Sequence, residues 1–193
     1  MGNKLLWVGG IHGVGKTSVL EAIISKNSQN IKKIYLGQLF WDTAISIGKQ
    51  WMQLSEEGNL LEVENVVTRE LLRQADQHNL IIDSHFCVYI GKKLLPGFHY
   101  TNLLKIIGRN KRRGLINLIA DPHTIAQRRV RSTKKHPNYP IFSDVGKITK
   151  EMEESNMYFE YFRKAFPQEN SIVIDTSSES VRTLKRKIME VYN

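Results

Sequence analysis

A glycine-rich segment near the N-terminus combines residue types that bind phosphate. Residues 9–18 read GGIHGVGKTS, in which Gly10, Gly15, Lys16 and Thr17 have the spacing Gly-x-x-x-x-Gly-Lys-Thr. Glycines adopt positive φ and lack a Cβ, so the backbone can wrap closely around an anion and point its N–H groups inward. In this pattern the lysine bridges the β- and γ-phosphates of a nucleotide, and the threonine hydroxyl binds Mg²⁺. The segment therefore predicts a nucleoside triphosphate site. The residues predicted to form it are Gly10, Ile11, His12, Gly13, Val14, Gly15, Lys16, Thr17 and Ser18.

An acidic residue and a histidine follow a third apolar run, in the segment NLIIDSH. A carboxylate at a strand end beside a phosphate loop can hold Mg²⁺ through water or orient an attacking group, and Asp83 is the candidate. The alternative for Asp83 is a turn or cap, where aspartate is common. His85 would project on the same side as Asp83 if the strand continued. A contact to substrate and a structural role are both open for this histidine.

A basic segment, RRVRSTKKHPNYP at residues 128–140, begins on a predicted helix and runs into a loop that contains proline. Arginines placed over a transferring phosphoryl group stabilise its charge, and a lid that delivers them also excludes water. Arg128, Arg129 and Arg131 are the candidates for such a lid. A solvated, charged helix end is the competing interpretation of the same residues.

Short apolar runs alternate with longer segments of helical spacing. The runs lie at residues 5–8, 34–36, 80–82, 115–119 and 172–174, without strict polar alternation. This pattern is typical of parallel strands that are buried on both faces. Repeated strand-helix-strand order predicts an α/β fold, a parallel sheet with helices on both faces, and a ligand beyond the carboxyl ends of the strands. Asp121 and Pro122 are predicted to start a helix as its cap and first residue.

Length and composition limit the class of protein. The 193 residues are 41% apolar and 24% charged and have a net charge of +9, which predicts one domain spanning residues 1–193. No apolar run approaches the ~20 residues that cross a bilayer, so no membrane partner is expected. One cysteine, Cys87, and no secretory segment favour a cytoplasmic location. The positive charge suits a phosphorylated ligand and allows, without requiring, nucleic acid. Oligomeric state is not specified.

The chain resembles the archaeal-type adenylate kinases, which belong to the P-loop nucleoside monophosphate kinases. The similarity covers most of the length, and the order and spacing of the later segments are more specific than the phosphate loop. The matching segments are GIHGVGKTS, YLGQLFWDTAISIG, NLIIDSH, LLPG, IADPHTIAQRRV and SDVGKITKEM.

The resemblance implies a three-layer P-loop NTPase fold with a central five-stranded parallel sheet. It implies the reaction of ATP with AMP to give two ADP, with Mg²⁺ held by Thr17 and Asp83. The acceptor region would span about residues 38–75 and the lid about residues 128–142. Carried over by position, Gly37 and Gln38 would begin the acceptor-site helix, Arg69 would contact the acceptor phosphate, and Arg128 and Arg129 would be arginines at the base of the lid. Combined with the residue patterns above, the predicted catalytic residues are Lys16, Arg128, Arg129 and Asp83. The predicted substrate residues are Gly37, Gln38, Arg69 and His85, and the predicted lid residues are Arg131 and Lys134. The turn at residues 175–177 would lie near the adenine.

Two departures from the family pattern affect the acceptor. Gln53 stands where the family tends to have an arginine, and Lys134 and Lys135 replace lid arginines. Lysine cannot make the planar two-pronged contact of arginine. Two further functions therefore stay open: a P-loop ATPase or nucleotide switch acting with an RNA or protein partner, and a kinase for a non-nucleotide small molecule. A hydroxyl acceptor would need a base, for which Asp83 is the candidate.

Overall fold

A central parallel sheet organises the protein. The computed structural model describes residues 3–24, 30–50, 53–54, 59–90, 92–135 and 143–192. The strands are β1 (Lys4–Gly9), β2 (Ile31–Tyr35), β3 (Asn79–Asp83), β4 (Cys87–Ile90), β5 (Lys93–Pro96), β6 (Arg112–Ile119) and β7 (Ser171–Asp175). The helices are α1 (Lys16–Ile24), α2 (Leu36–Ser46), α3 (Asn59–Gln77), α4 (Tyr100–Arg109), α5 (Pro122–Lys135), α6 (Val145–Arg163) and α7 (Val181–Tyr192).

Five strands form the sheet in the order β2-β3-β1-β6-β7, with β1 in the middle. All four pairings are parallel, as the apolar runs predicted. In register, Asp83 lies opposite Val8 on one side and Tyr35 on the other. The carboxyl ends of β1, β2 and β3 therefore meet at one edge of the sheet. The predicted α/β fold with a five-stranded parallel sheet is confirmed.

Two hydrophobic clusters cover the two faces of the sheet. One packs α2, α3, α4 and the C-terminal part of α6 against it, and the other packs α1, α5, α7 and the N-terminal part of α6. Trp7 is fully buried in the first cluster, edge-on to Phe98 and Phe162, each with a centroid separation of 5.6 Å. Its indole N–H donates to the Ser84 hydroxyl at 2.6 Å. This bond attaches the start of the segment after β3 to the central strand.

An antiparallel hairpin, β4–β5, stands apart from the sheet and was not predicted. Its base is closed by a hydrogen bond from Gly97 N–H to the Phe86 carbonyl oxygen at 2.7 Å. A Cβ on Gly97 would overlap the carbonyl oxygen of His85. The hairpin therefore starts and ends at one place on the body of the protein, beside His85 and Phe86.

Several element boundaries differ from the sequence-based expectations. Strand β2 begins at Ile31, and Leu36 starts α2 instead of ending the strand. The strand that contains Asp83 ends there, so His85 does not continue it. The expected start of α5 is confirmed, because Asp121 Oδ1 accepts the N–H groups of His123 and Thr124 at 2.9 and 3.1 Å. Within the described residues, no helix combines the length and apolarity needed to cross a membrane.

Strand β1 can pass the hairpin only because residue 9 has no side chain. A Cβ on Gly9 would overlap the buried ring of Phe86. We expect Gly9→Ala to lower the free energy of unfolding by about 1–3 kcal/mol, the usual cost of overpacking. Urea denaturation measures the change. Gly108→Ala is the control, since Gly108 is helical and a Cβ there meets no atom within 4 Å. Equal effects of the two substitutions would contradict the packing described.

Candidate functional site

The phosphate loop connects β1 to α1 at the centre of the sheet edge. Gly10 and Gly13 have φ values of +137° and +93°, which non-glycine residues rarely adopt. A Cβ on Gly10 would also overlap the carbonyl oxygen of Leu118. The loop runs directly into α1, which begins at Lys16. Backbone N–H groups and the positive end of a helix dipole thus face one point, the arrangement that binds phosphate.

A cavity of about 750 Å³ opens over this loop. The phosphate-loop residues 12–18 line it, whereas Gly10 and Ile11 are buried behind. The other walls come from the ends of β2 and β3, the start of α2, the middle of α5, the segment between β7 and α7, and the first turns of α1 and α7. They are Val19, Tyr35, Gly37, Gln38, Asp83, Ser84, His85, Arg128, Ser132, Thr176, Glu179, Val181 and Leu184. Tyr35, Ser84, Ser132 and Glu179 were missed by sequence reasoning, since they follow no motif and reach the cavity only through the sheet register and the helix packing.

Lys16 is a partly buried cation that lines the cavity. Its ammonium group donates to the carbonyl oxygens of Gly10 at 2.7 Å and Ile11 at 3.1 Å. Burial lowers the pKa of Lys16 to about 8, and the charges of Asp83 and Glu151 act in the opposite direction. The ammonium is thus held in a position where an added anion would stabilise its charge.

Asp83 lies at the end of β3 and lines the cavity with only 8% of its side chain exposed. Burial raises the pKa of Asp83, while the ammonium groups of Lys16 and Lys33 oppose that shift. The Lys33 ammonium lies 3.9 Å from the carboxylate and donates to the Tyr35 hydroxyl at 2.7 Å. Lys33 was missed by sequence reasoning; its place in β2, next to β3, brings it to Asp83.

Two histidines border the phosphate loop. His85 lines the cavity and hydrogen-bonds to the backbone of Gly10, although its strand has already ended. The charge of Lys16, followed by burial, holds the pKa of His85 well below its ordinary value. For His12, burial is the first cause of a lowered pKa, with the charges of Lys16 and Arg129 adding to it. Both rings are therefore neutral at pH 7, where they can accept as well as donate hydrogen bonds.

Arg128 reaches across the cavity wall to the phosphate loop. Its guanidinium donates to the carbonyl oxygens of Gly13 at 3.5 Å and Val14 at 3.3 Å, and to the Thr176 hydroxyl and carbonyl at 3.0 and 2.7 Å. Thr176 in turn donates to the Val14 carbonyl at 2.7 Å. One guanidinium thus joins α5, the loop and the segment after β7 beside the cavity.

Arg129 lies behind the loop instead of in the cavity. Only 2% of its side chain is exposed; its Nε donates to the His12 carbonyl oxygen at 2.9 Å, and Nη2 lies 2.8 Å from the Glu151 carboxylate. The geometry gives Arg129 a supporting position in this structure, while its catalytic role remains a prediction. Glu151 was missed, because nothing in the sequence links a glutamate on α6 to this arginine.

The predicted acceptor residues divide into two groups. Gly37 and Gln38, at the start of α2, line the cavity. Arg69 lies on the exposed side of α3 and is not among the described residues that line it. Gln53 is exposed as well, and its carbonyl oxygen accepts from the Asn59 side chain at 2.9 Å. The structure therefore brings the start of the predicted acceptor region to the cavity and leaves Arg69 outside it.

The predicted lid begins on helix α5. Arg131 is exposed on that helix, whereas Ser132 lines the cavity. Lys134 also lies on α5, but its side chain, like residues 136–142, lies outside the described part of the protein. The lid roles of Arg131 and Lys134 stay predictions.

The oxygen ligands that Mg²⁺ prefers are present in the cavity. The Thr17 hydroxyl and the Asp83 carboxylate both line it, beside Lys16. Among the described residues, no group of three or more His, Cys, Asp or Glu side chains could hold a metal ion. A site with a single carboxylate nevertheless fits Mg²⁺, which is usually held by one or two carboxylates together with water and substrate phosphates.

The chain matches one family model and is similar to several solved structures. The family model described as AAA domain matches residues 9–141. No curated protein matches the chain by sequence. The solved shikimate kinase from Acinetobacter baumannii, in complex with shikimate, is similar in structure at 16% identity and a TM-score of 0.56, covering 98% of this chain and 92% of that one. A gluconokinase from Sinorhizobium meliloti is similar at 12% identity and a TM-score of 0.53, covering 98% and 91%. These similarities show the fold.

The contacts of Arg129 with His12 and Glu151 predict that this arginine stabilises the fold. Arg129→Gln leaves the carbonyl of His12 and the carboxylate of Glu151 without this guanidinium, and we expect the free energy of unfolding to fall by about 1–3 kcal/mol. Urea denaturation at pH 7 measures the loss. Arg131→Gln, two residues along the same helix at an exposed position, is the control and should change little. A stable Arg129→Gln variant would argue against a supporting position for this arginine.

The lowered pKa of Lys16 makes a prediction about proton uptake. Above pH 8 the side chain is mostly neutral, whereas bound phosphates favour the ammonium form. ATP binding at about pH 9 should therefore take up close to one proton, and affinity should fall as pH rises through 8. Titration calorimetry in two buffers of different ionisation enthalpy measures the uptake. Lys16→Arg, which stays charged, should show none. Identical heats in both buffers for the unaltered protein would contradict the prediction.

Proposed function

The chain belongs to the AAA domain family, and on that premise we propose that it is an ATP-dependent phosphotransferase that acts on a small-molecule acceptor. The observation that supports this function is the shape of the cavity. Its floor carries Lys16 and Thr17 of the phosphate loop, and its walls continue past Asp83 to Gly37 and Gln38. One space thus offers a triphosphate site and room beside it for a second molecule. The shared fold with a shikimate kinase and a gluconokinase is consistent with this function.

The residues of the cavity supply positioning and charge neutralisation, which is most of what phosphoryl transfer requires. The loop N–H groups and Lys16 hold the triphosphate, and Arg128 stands at the wall where it can approach the transferring group. Mg²⁺ held by Thr17 and Asp83 would neutralise charge on the phosphate oxygens. Because Arg128 already contacts the loop carbonyls, its move to phosphate would exchange hydrogen bonds to neutral carbonyls for stronger ones in which both donor and acceptor are charged.

A nucleoside monophosphate is the first candidate acceptor, with AMP the leading one. The resemblance to archaeal-type adenylate kinases supports it, as does the position of Gly37 and Gln38 in the cavity. An attacking phosphate is already an anion, so no general base is needed. In this reaction ATP and AMP would give two ADP. We also propose that residues 1–193 act as one domain and that the reaction takes place in the cytoplasm.

A hydroxyl-bearing small molecule is the second candidate acceptor. Two observations favour it: Asp83 faces the cavity with a raised pKa, suited to accept a proton, and Arg69 lies outside the cavity. Among the described cavity residues the lysines and arginines are Lys16 and Arg128, and both donate hydrogen bonds to the phosphate loop. In this case Asp83 would take the hydroxyl proton as the oxygen attacks the γ-phosphate.

The deciding experiment follows ADP formation from ATP with Mg²⁺, with and without each acceptor. The acceptors are AMP, CMP, UMP, GMP and dTMP, together with shikimate and gluconate. We expect ADP to rise at least tenfold with one acceptor and to stay at background in Lys16→Ala, which removes the phosphate-binding cation. The response to a monophosphate or to a hydroxyl compound separates the two candidates. Slow hydrolysis that no acceptor stimulates would overturn the kinase proposal in favour of an ATPase or switch with a macromolecular partner.

A further inference from the structure

A second, smaller cavity opens beside the first, at the start of α2. Its volume is about 50 Å³, and Gly37 and His85 line both cavities. Since about 10–15 Å³ accommodates one water molecule, the space suits a group of about three to five non-hydrogen atoms. The junction at Gly37 means that a molecule held in the main cavity can extend one end into the smaller one.

Most of the residues that line the smaller cavity are apolar. Helices α2 and α3 and the hairpin contribute Leu36, Phe40, Leu60, Val88, Ile90 and Pro96. Glu64, 3% exposed, is the carboxylate among the lining residues, and none of the described lining residues is a lysine or arginine. An anionic group would lie against this buried carboxylate, and the described lining residues offer it no cation. The cavity therefore selects against phosphate and carboxylate groups.

Glu64 is held in one orientation by its neighbours. Its Oε1 accepts the N–H of His99 and the side-chain amide of Asn102, both at 2.9 Å. Within the described part of the chain, both of these donors bond to Oε1. Oε2 is therefore available to accept a hydrogen bond from a molecule in the cavity. Burial raises the pKa of Glu64, while the hydrogen bonds of Asn102 and His99 oppose the shift. A buried carboxylate with a spare oxygen gains most from a ligand that donates a hydrogen bond to it.

We propose that the smaller cavity is the specificity subsite of the acceptor, and that it takes an uncharged, amino-bearing edge whose N–H donates to Glu64. This inference rests on the proposed phosphotransferase function and deepens it. The charged end of the acceptor stays in the main cavity, near Lys16. Amino-bearing nucleobases fit this description, with only the amino edge of the ring entering the smaller cavity.

Closing the junction between the cavities tests the place of the subsite. Gly37 lines both cavities, and a Cβ there meets no atom within 4 Å, so a larger side chain starts in open space. We expect Gly37→Leu to raise the acceptor KM at least tenfold while the KM for ATP changes less than twofold. Gly108→Leu is the matched control, since Gly108 is also helical with open space at its Cβ, and it should leave both constants unchanged. An unchanged acceptor KM in Gly37→Leu would overturn the inference.

Glu64→Gln tests the chemistry of recognition with two pairs of probes, AMP against IMP and CMP against UMP. Each pair exchanges an amino group for a carbonyl. In Glu64→Gln the amide nitrogen replaces the free oxygen, so the preference for the amino member should fall about tenfold or reverse. Glu62→Gln, at an exposed position on the same helix, is the control and should keep the preference. An unchanged preference in Glu64→Gln would overturn the inference.

Equilibrium binding separates failure of this inference from failure of the proposed function. If ATP is consumed with none of the four probes, the same ratios are measured as dissociation constants with radiolabelled monophosphates. An amino preference that Glu64→Gln abolishes would support the subsite even without turnover. If none of the four monophosphates binds to the unaltered protein, the inference is wrong, whatever the assays with hydroxyl acceptors show.

Discussion

The backbone carbonyls of the phosphate loop impose the constraint on which the site depends. A loop that turns its N–H groups toward a ligand turns carbonyl oxygens toward the protein, and these need donors. Lys16, Arg128, Arg129 and Thr176 supply them to the carbonyls of residues 10–14. Three of the four donors are cations. These three cations therefore hold the loop in its conformation, and their charge also attracts anions.

This requirement explains why distant elements converge on one short loop. Helix α5 brings two consecutive arginines, α6 brings Glu151 to hold one of them, and the segment after β7 brings Thr176. The two arginines have different surroundings: Arg128 borders the cavity, whereas Arg129 is buried behind it. Adjacent residues on a helix point about 100° apart, so one can face ligand while its neighbour secures the loop.

The sequence was most informative where a local pattern has one physical solution. The spacing of Gly10, Gly15 and Lys16 identified the loop, and apolar runs without strict polar alternation identified all five sheet strands. The hairpin was not predicted because its strands are only four residues long and partly buried. The approach of Lys33 to Asp83 depends on strand order, and the partner of Arg129 depends on helix packing. Such contacts between distant segments produce no periodic pattern in a single sequence, so the sequence could not predict them.

The hairpin after β3 borders the smaller cavity and not the main one. The segment departs at Phe86 and returns at Gly97, where a backbone hydrogen bond joins these two residues and a Cβ would find no room. Between them, Val88, Ile90 and Pro96 form one wall of the smaller cavity, whereas none of the described hairpin residues lines the main cavity. Ile90 is also fully buried in the first hydrophobic cluster, so it anchors the hairpin to the body of the protein. The two cavities can therefore vary independently: substitutions at Val88 and Pro96 reshape the smaller one without changing any residue that lines the main one.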